Sequence, residues 1–214
     1  MISNPTLIVC LFAAFDGDAD LIIQEQMKNI EGKFIVLEED ISHKDFLGLA
    51  EAQGWNHYRT YSPETEKDRF EDVWHTTDNK NTIHFIEDPI TGTRYIWAKG
   101  SNLKEVLFKI HRWLPAYEPE ELIQMAVEAD QPDEAIDALF RIAVAFPNFN
   151  EAAIGIFKQY LSHPSKLIRK ATVQAIAYRA WSEGIGLLEK VSDEDVEVEV
   201  REFAKILLSE IDQQ

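Results

Sequence analysis

IRKATVQAI (168–176) and VREFAKILL (200–208) decide the architecture, because Ile168-Arg169 at the head of the first returns 32 residues later as Val200-Arg201 at the head of the second. Both runs carry apolar residues at steps of three and four, which places them on one face of a helix. A fixed step between like helices predicts stacked helical hairpins, each burying its apolar face only against its neighbours. Such repetition builds an extended surface and names no ligand.

Outward from these runs, every segment after Pro119 reads as helix, broken at Pro132-Asp133, Pro147-Asn148, His163-Pro164 and Ser192-Asp193. The expected pairs are 120–129 with 133–146, 149–162 with 165–180, and 183–191 with 195–211. With Ile168-Arg169 and Val200-Arg201 at the starts of second helices, residues 119–212 resemble HEAT-type repeats. The resemblance implies that the branched residue plugs each hairpin, that the Arg bonds toward neighbouring loops, and that a small residue further along allows close helix approach. Ala204 fits that small position and Thr172 fits it less well; one step back, Ile136 is followed by Asp137 where Arg is wanted, so the first hairpin departs from the pattern and reads as a cap. The implied scaffold has a binding face and no reaction.

The first half changes period repeatedly. A continuous apolar run at 7–15 is followed by helical spacing in ADLIIQEQMKNI (19–30) and the short run FIVLE (34–38). DFLGLAEAQ (45–53) predicts a helix with Gly54 as its stop. Periodicity is lost from Trp55 to Asn81, and then TIHFIED (82–88) and TRYIWAKG (93–100) flank Pro89-Ile90-Thr91-Gly92 as an antiparallel hairpin. Ser101 is the expected N-cap of a helix whose Leu103, Val106, Leu107, Ile110 and Leu114 share a face, closed by Pro115. The fold class is α+β: an α+β domain with a β-hairpin at 1–117, then an all-α helical-hairpin repeat at 118–214.

Composition narrows the roles. The 214 residues carry 45% hydrophobic and 28% charged side chains, ordinary for a globular chain with a sizeable core. The single cysteine, Cys10, lies in an apolar run without an internal disulfide partner, which points to a reducing compartment. That run is too short to span a bilayer and is followed at once by Asp16, Asp18 and Asp20, so a cytoplasmic protein without membrane contact is expected. The net charge is −17, with 19 acids against 9 bases in residues 118–214. Such a field repels phosphate backbones and attracts basic proteins.

Catalytic signatures are weak. Asp16-Gly17-Asp18-Ala19-Asp20 fails as a calcium loop, since Leu21 and Met27 stand where Gly and Glu are needed, and it reads as helix capping. Glu38-Glu39-Asp40 reads as a solvated turn at a strand end. Glu87, Asp88 and Lys99 lack the acid-x-Lys spacing of nucleases. His43, His57, His75, His84, His111 and His163 show no zinc spacing, and Glu71 with His75 reads as a surface pair on a short helix. No catalytic residue, metal or cofactor is assigned.

Two surfaces are assigned to partner binding. Trp55, Tyr58, Tyr61 and Trp74 lie in an aromatic stretch with Arg59 and Arg69, the composition of interface hot spots. Glu197 and Glu199 belong to the acid run 193–199, whose Asp193, Glu194 and Asp195 are explained by capping a helix start. The expected function is a non-enzymatic protein-protein interaction module, concretely an immunity protein or inhibitor that neutralises a basic partner. The alternatives are a metal-dependent hydrolase using N-terminal carboxylates, and an assembly scaffold or chaperone.

Overall fold

Alternating β-rich residues either side of a Gly-ended turn make the central hairpin of a sheet. In the computed structural model, which describes residues 32–66 and 68–212, this hairpin is β4 (Asn81–Asp88) and β5 (Thr93–Gly100). The apolar run 7–15 with Cys10, the acid run 16–20 and the helix expected at 19–30 lie outside the described residues. Gly92 takes a left-handed φ of 65°, and the Asp88 carboxylate accepts the Ile90 N–H at 2.9 Å, so the turn is set by its own residues. Among the described residues the chain divides into two compact units with the break between Glu118 and Pro119.

In the first unit the sheet is antiparallel throughout, in the order β1-β5-β4-β3-β2, with β1 at Lys33–Val36, β2 at Asn56–Tyr61 and β3 at Phe70–His75. Helix α1 (His43–Ala52) ends before Gly54, whose φ is 63°, and α2 (Leu103–Trp113) starts from Asn102 rather than Ser101. Ile35, Ile83, Phe85, Ile96 and Ala98 pack against Phe46, Leu49, Val106, Ile110 and Leu114 in one core. The face expected for α2 is thus the buried one.

Residues 55–81 are not an aperiodic loop. They form β2 and β3, which pair with each other, and β3 also pairs with β4. The polar cluster Thr76-Thr77-Asp78-Asn79 turns the chain between β3 and β4: Asp78 accepts from the Thr76 hydroxyl at 2.7 Å and the Lys80 N–H at 3.1 Å, and Asn79 takes a φ of 55°. Alternation was hidden because Glu71 and Asp72 fill buried positions of β3, while β2 is exposed along almost its whole length.

The second unit holds six helices among the described residues: α3 (Pro119–Glu128), α4 (Pro132–Ala145), α5 (Glu151–Tyr160), α6 (Lys166–Arg179), α7 (Ser182–Glu194) and α8 (Val198–Ile211). Each even-numbered helix packs on the helix before it, and α4, α6 and α8 pack in sequence against one another. Ile168, Val200, Thr172 and Ala204 are all buried in these contacts. Gly184 permits a close approach, since a Cβ there would lie 2.8 Å from Ile176 Cγ2. Helix starts follow local chemistry: Pro132 opens α4, and Asn150 Oδ1 accepts the Ala153 N–H at 3.0 Å to cap α5. The last boundary differs from expectation. Asp193 and Glu194 end α7 instead of starting α8.

Candidate functional site

The loop 195–197 of the second unit is built by two arginines. Arg169, on α6, sends Nε and Nη2 to the two oxygens of Asp195 at 2.8 and 2.9 Å and Nη1 to the carbonyls of His163 and Pro164. Both side chains are nearly closed to solvent, at 7% and 5% exposure, and the bidentate bond raises the Arg169 pKa and lowers that of Asp195. Asp195 Oδ1 also accepts the Glu197 N–H at 2.9 Å, and the Arg201 guanidinium donates to the Asp195 carbonyl. Asp195 is therefore a buried ion-pair partner, a correction to the capping role expected for it. Glu197 stands exposed at the N-cap of α8. Glu199 is exposed in its first turn and bonds Lys166 Nζ at 2.8 Å, a contact that lowers its pKa.

The aromatic stretch separates into core and surface. Trp55 is in the hydrophobic core at 6% exposure, because it follows the Gly54 turn straight back onto Phe46. That removes it from any partner surface. Trp74 is half-buried, packs edge-on to Phe46 and donates its indole N–H to Asp72 at 2.7 Å. Tyr58 remains 65% exposed, edge-on to His75, and Tyr61 lies under Arg59 with 4.6 Å from guanidinium to ring centre. Strand pairing brings His57 beside Trp74, with ring centres 5.1 Å apart.

Sequence reading missed two buried carboxylates on β3. Asp72 accepts from His43 Nε2 and His57 Nε2 at 3.0 Å each, from Thr60 Oγ1 at 2.7 Å and from Trp74. Burial acts to raise its pKa, and the bonds from Trp74, His43 and Thr60 overcome that and hold it low. Glu71 points to the opposite sheet face. It takes His84 Nδ1 at 2.6 Å and Arg69 Nη2 at 2.9 Å, so its partner is His84 and not His75, and it belongs to a strand and not a helix. Here too burial pushes upward and the His84 and Arg69 contacts leave the Glu71 pKa below the ordinary value.

His84 is held neutral by burial, and because its Nδ1 donates to Glu71, its Nε2 is a bare lone pair. Among the described residues that atom, the Trp97 indole nitrogen and Glu210 Oε2 are buried without a hydrogen-bond partner. The Glu71–His84 pair has the chemistry of a general base but is sealed from substrate. Nor does Asp72 with His57 and Thr60 form a nucleophile triad, since hydroxyl and carboxylate both meet the same imidazole nitrogen. Among the described residues no group of three His, Cys, Asp or Glu side chains is placed to hold a metal ion, and no helix is long and apolar enough to cross a membrane.

A second feature was countable in sequence and passed over. Between Pro119 and Phe140 the chain has no Lys, Arg or His and seven acids: Glu120, Glu121, Glu128, Asp130, Asp133, Glu134 and Asp137, every one exposed. They belong to the first hairpin, α3–α4 and the turn between them.

In comparisons with known proteins, no family model, no curated protein and no solved structure matches the chain.

Proposed function

We propose that this protein is a non-enzymatic interaction module, an acidic inhibitor of the immunity type that occludes the basic site of a partner protein in a reducing, cytoplasmic setting. The observation that carries this reading is the stretch 119–140 of the first hairpin, with seven exposed acids and no base, the hairpin's one base being the Arg141 that follows it in α4. Most of the bases elsewhere in the same unit turn toward the protein itself. Arg169 and Arg201 hold Asp195, Arg179 donates to the carbonyls of Ala143 and Val144, and Lys166, Lys190 and Lys205 face Glu199, Glu194 and Glu202. The outward field is therefore negative, which speeds encounter with a basic partner and selects against wrong ones.

A HEAT-like reading of the second unit accompanies this. It is supported by burial of Ile168 and Val200 at equivalent places, by the loop-directed bonds of Arg169 and Arg201, and by the consecutive packing of α4, α6 and α8. In the departing first hairpin, Asp137 faces solvent and lies 3.9 Å from Arg141.

The test is capture of partners from the native host on the full chain, washed in parallel at low and high salt and quantified by mass spectrometry. One basic protein near equal stoichiometry, released by salt, is the expected outcome. A multi-subunit assembly at fixed ratio would favour a scaffold, and no specific partner at either salt overturns the reading.

A further inference from the structure

Helix α2 turns one face to the sheet through Val106 and Ile110, and the face it leaves outside is unlike the rest of this acidic chain. Phe108 is 64% exposed and Trp113 50%, two of the large aromatic side chains left in solvent among the described residues. Lys104, Phe108 and Arg112 stand at steps of four, so they form one continuous row along the helix, and Trp113 follows Arg112 on the adjoining row. Glu105, the one acid of the helix, bonds Lys109 Nζ at 2.8 Å and the Asn102 amide at 2.9 Å, and His111 lies 3.8 Å from Glu118. Among the described residues no carboxylate answers Lys104 or Arg112. Arg112 suits the negative end of the helix dipole, whereas Lys104 stands in the first turn, against it. Folding therefore accounts neither for that cation nor for the two exposed rings.

Aromatic rings beside unpaired cations on a helix anchored by its other face have the composition of a binding hot spot. We propose that the outer face of α2 is the docking site for an amphipathic acidic helix of a partner protein. An apolar side chain of that helix packs on Phe108, and carboxylates two turns apart on it meet Lys104 and Arg112, which stand about 12 Å apart along the axis of α2. The two free cations select the sign of the occupant, since a basic helix would meet them with like charge. The net charge of −17 selects its size. An anionic membrane or a nucleic acid extends well beyond the patch and meets the acids around it, whereas a short helix senses only charges within a Debye length of about 8 Å. This site lies on the sheet unit and takes an acidic ligand, so it is separate from the contact proposed between the stretch 119–140 and a basic partner.

The probe is a labelled synthetic helical peptide with a leucine midway between two glutamates two turns apart, titrated into the intact chain and followed by fluorescence polarisation, with a lysine-for-glutamate peptide as control. Saturable binding of the glutamate peptide and none of the control is expected. F108S is expected to keep the thermal midpoint, because the ring is exposed, and to weaken binding about tenfold, a loss of hot-spot size. K104E combined with R112E is expected to reverse the preference, so that the lysine peptide binds and the glutamate peptide does not, a result that damage to folding would not produce. Binding of the glutamate peptide that is indifferent to both variants overturns the site, as does absence of saturable binding. Vesicles of phosphatidylserine and phosphatidylcholine form a second arm: capture on them that F108S abolishes, with no peptide binding, overturns the helical occupant and gives the face to a membrane. The salt-graded capture judges the basic-partner reading separately in every case.

Discussion

Both units bury charge, but they neutralise it with different chemistry. In the helical unit Arg169 and Asp195 are ions whose pKa values are pushed further apart by their contact, so the pair stays charged across the physiological range. In the sheet unit the buried acids Glu71 and Asp72 lean on histidines, and one of these, His84, is kept neutral by burial. The comparison teaches that an ionic lock made from Arg confers insensitivity to pH, whereas a carboxylate-imidazole pair imports the titration of His into the core.

The largest effect should come from breaking the arginine lock. Asp195→Ala leaves a buried guanidinium without its counter-ion and should cost about 3–5 kcal/mol in urea unfolding, because removing one member of a buried pair is far worse than never having had it. An unchanged midpoint would show that the lock is ornamental. Next, Glu71→Gln weakens the charged bonds from His84 and Arg69 and should cost about 2 kcal/mol, read by the same method on the sheet unit's transition.

Titration sharpens the contrast. The folded pKa of His84 lies below its ordinary 6.5, so as pH falls through 6.5 the unfolded chain takes up a proton that the folded one refuses, and stability is lost toward acid. Glu71, lowered from 4.5, adds a second loss at still lower pH. Thermal melts between pH 7.5 and 5.5 (roughly one unit either side of the ordinary histidine value) should therefore decline, and His84→Gln should flatten that slope. An unchanged slope in the variant would mean that His84 does not govern it.

Smaller effects belong to helix geometry. Gly184→Ala drives a methyl toward Ile176 and should cost about 1–2 kcal/mol through overpacking, with refitting of Ile176 deciding where in that range it falls. Asn150→Ala removes the cap of α5 and should cost about 1 kcal/mol at any pH, which makes it a control for the titration series.

What could be read from sequence was whatever left its period undisturbed. The hairpin β4–β5, helix α1 with its Gly54 stop, the buried face of α2 and six helices after Pro119 were legible for that reason. Strands β2 and β3 were not, because two acids occupy core positions of β3 and β2 offers no apolar face. The turn Thr76-Thr77-Asp78-Asn79 was the signal that could have found them. Asp195 was misread because its partner lies 26 residues away, and charge alone cannot distinguish a cap from a buried ion. Of the aromatic residues proposed for contact, Tyr58 is exposed, Tyr61 and Trp74 are half-buried and Trp55 is buried, since hydrophobicity predicts burial and interface equally well. The run 119–140 needed only a count of bases.

Glu71 and Asp72 are neighbours that point to opposite faces of one strand, and each meets partners suited to it alone. Sliding β3 by a single residue along β4 would turn Glu71 toward the aromatic core and Asp72 away from His43, stranding two carboxylates at once. An ordinary hydrophobic strand survives such a slip with a blurred core. This one does not, so the dipeptide proofreads its own pairing: of all the alignments open to the strand, only one leaves both charges answered.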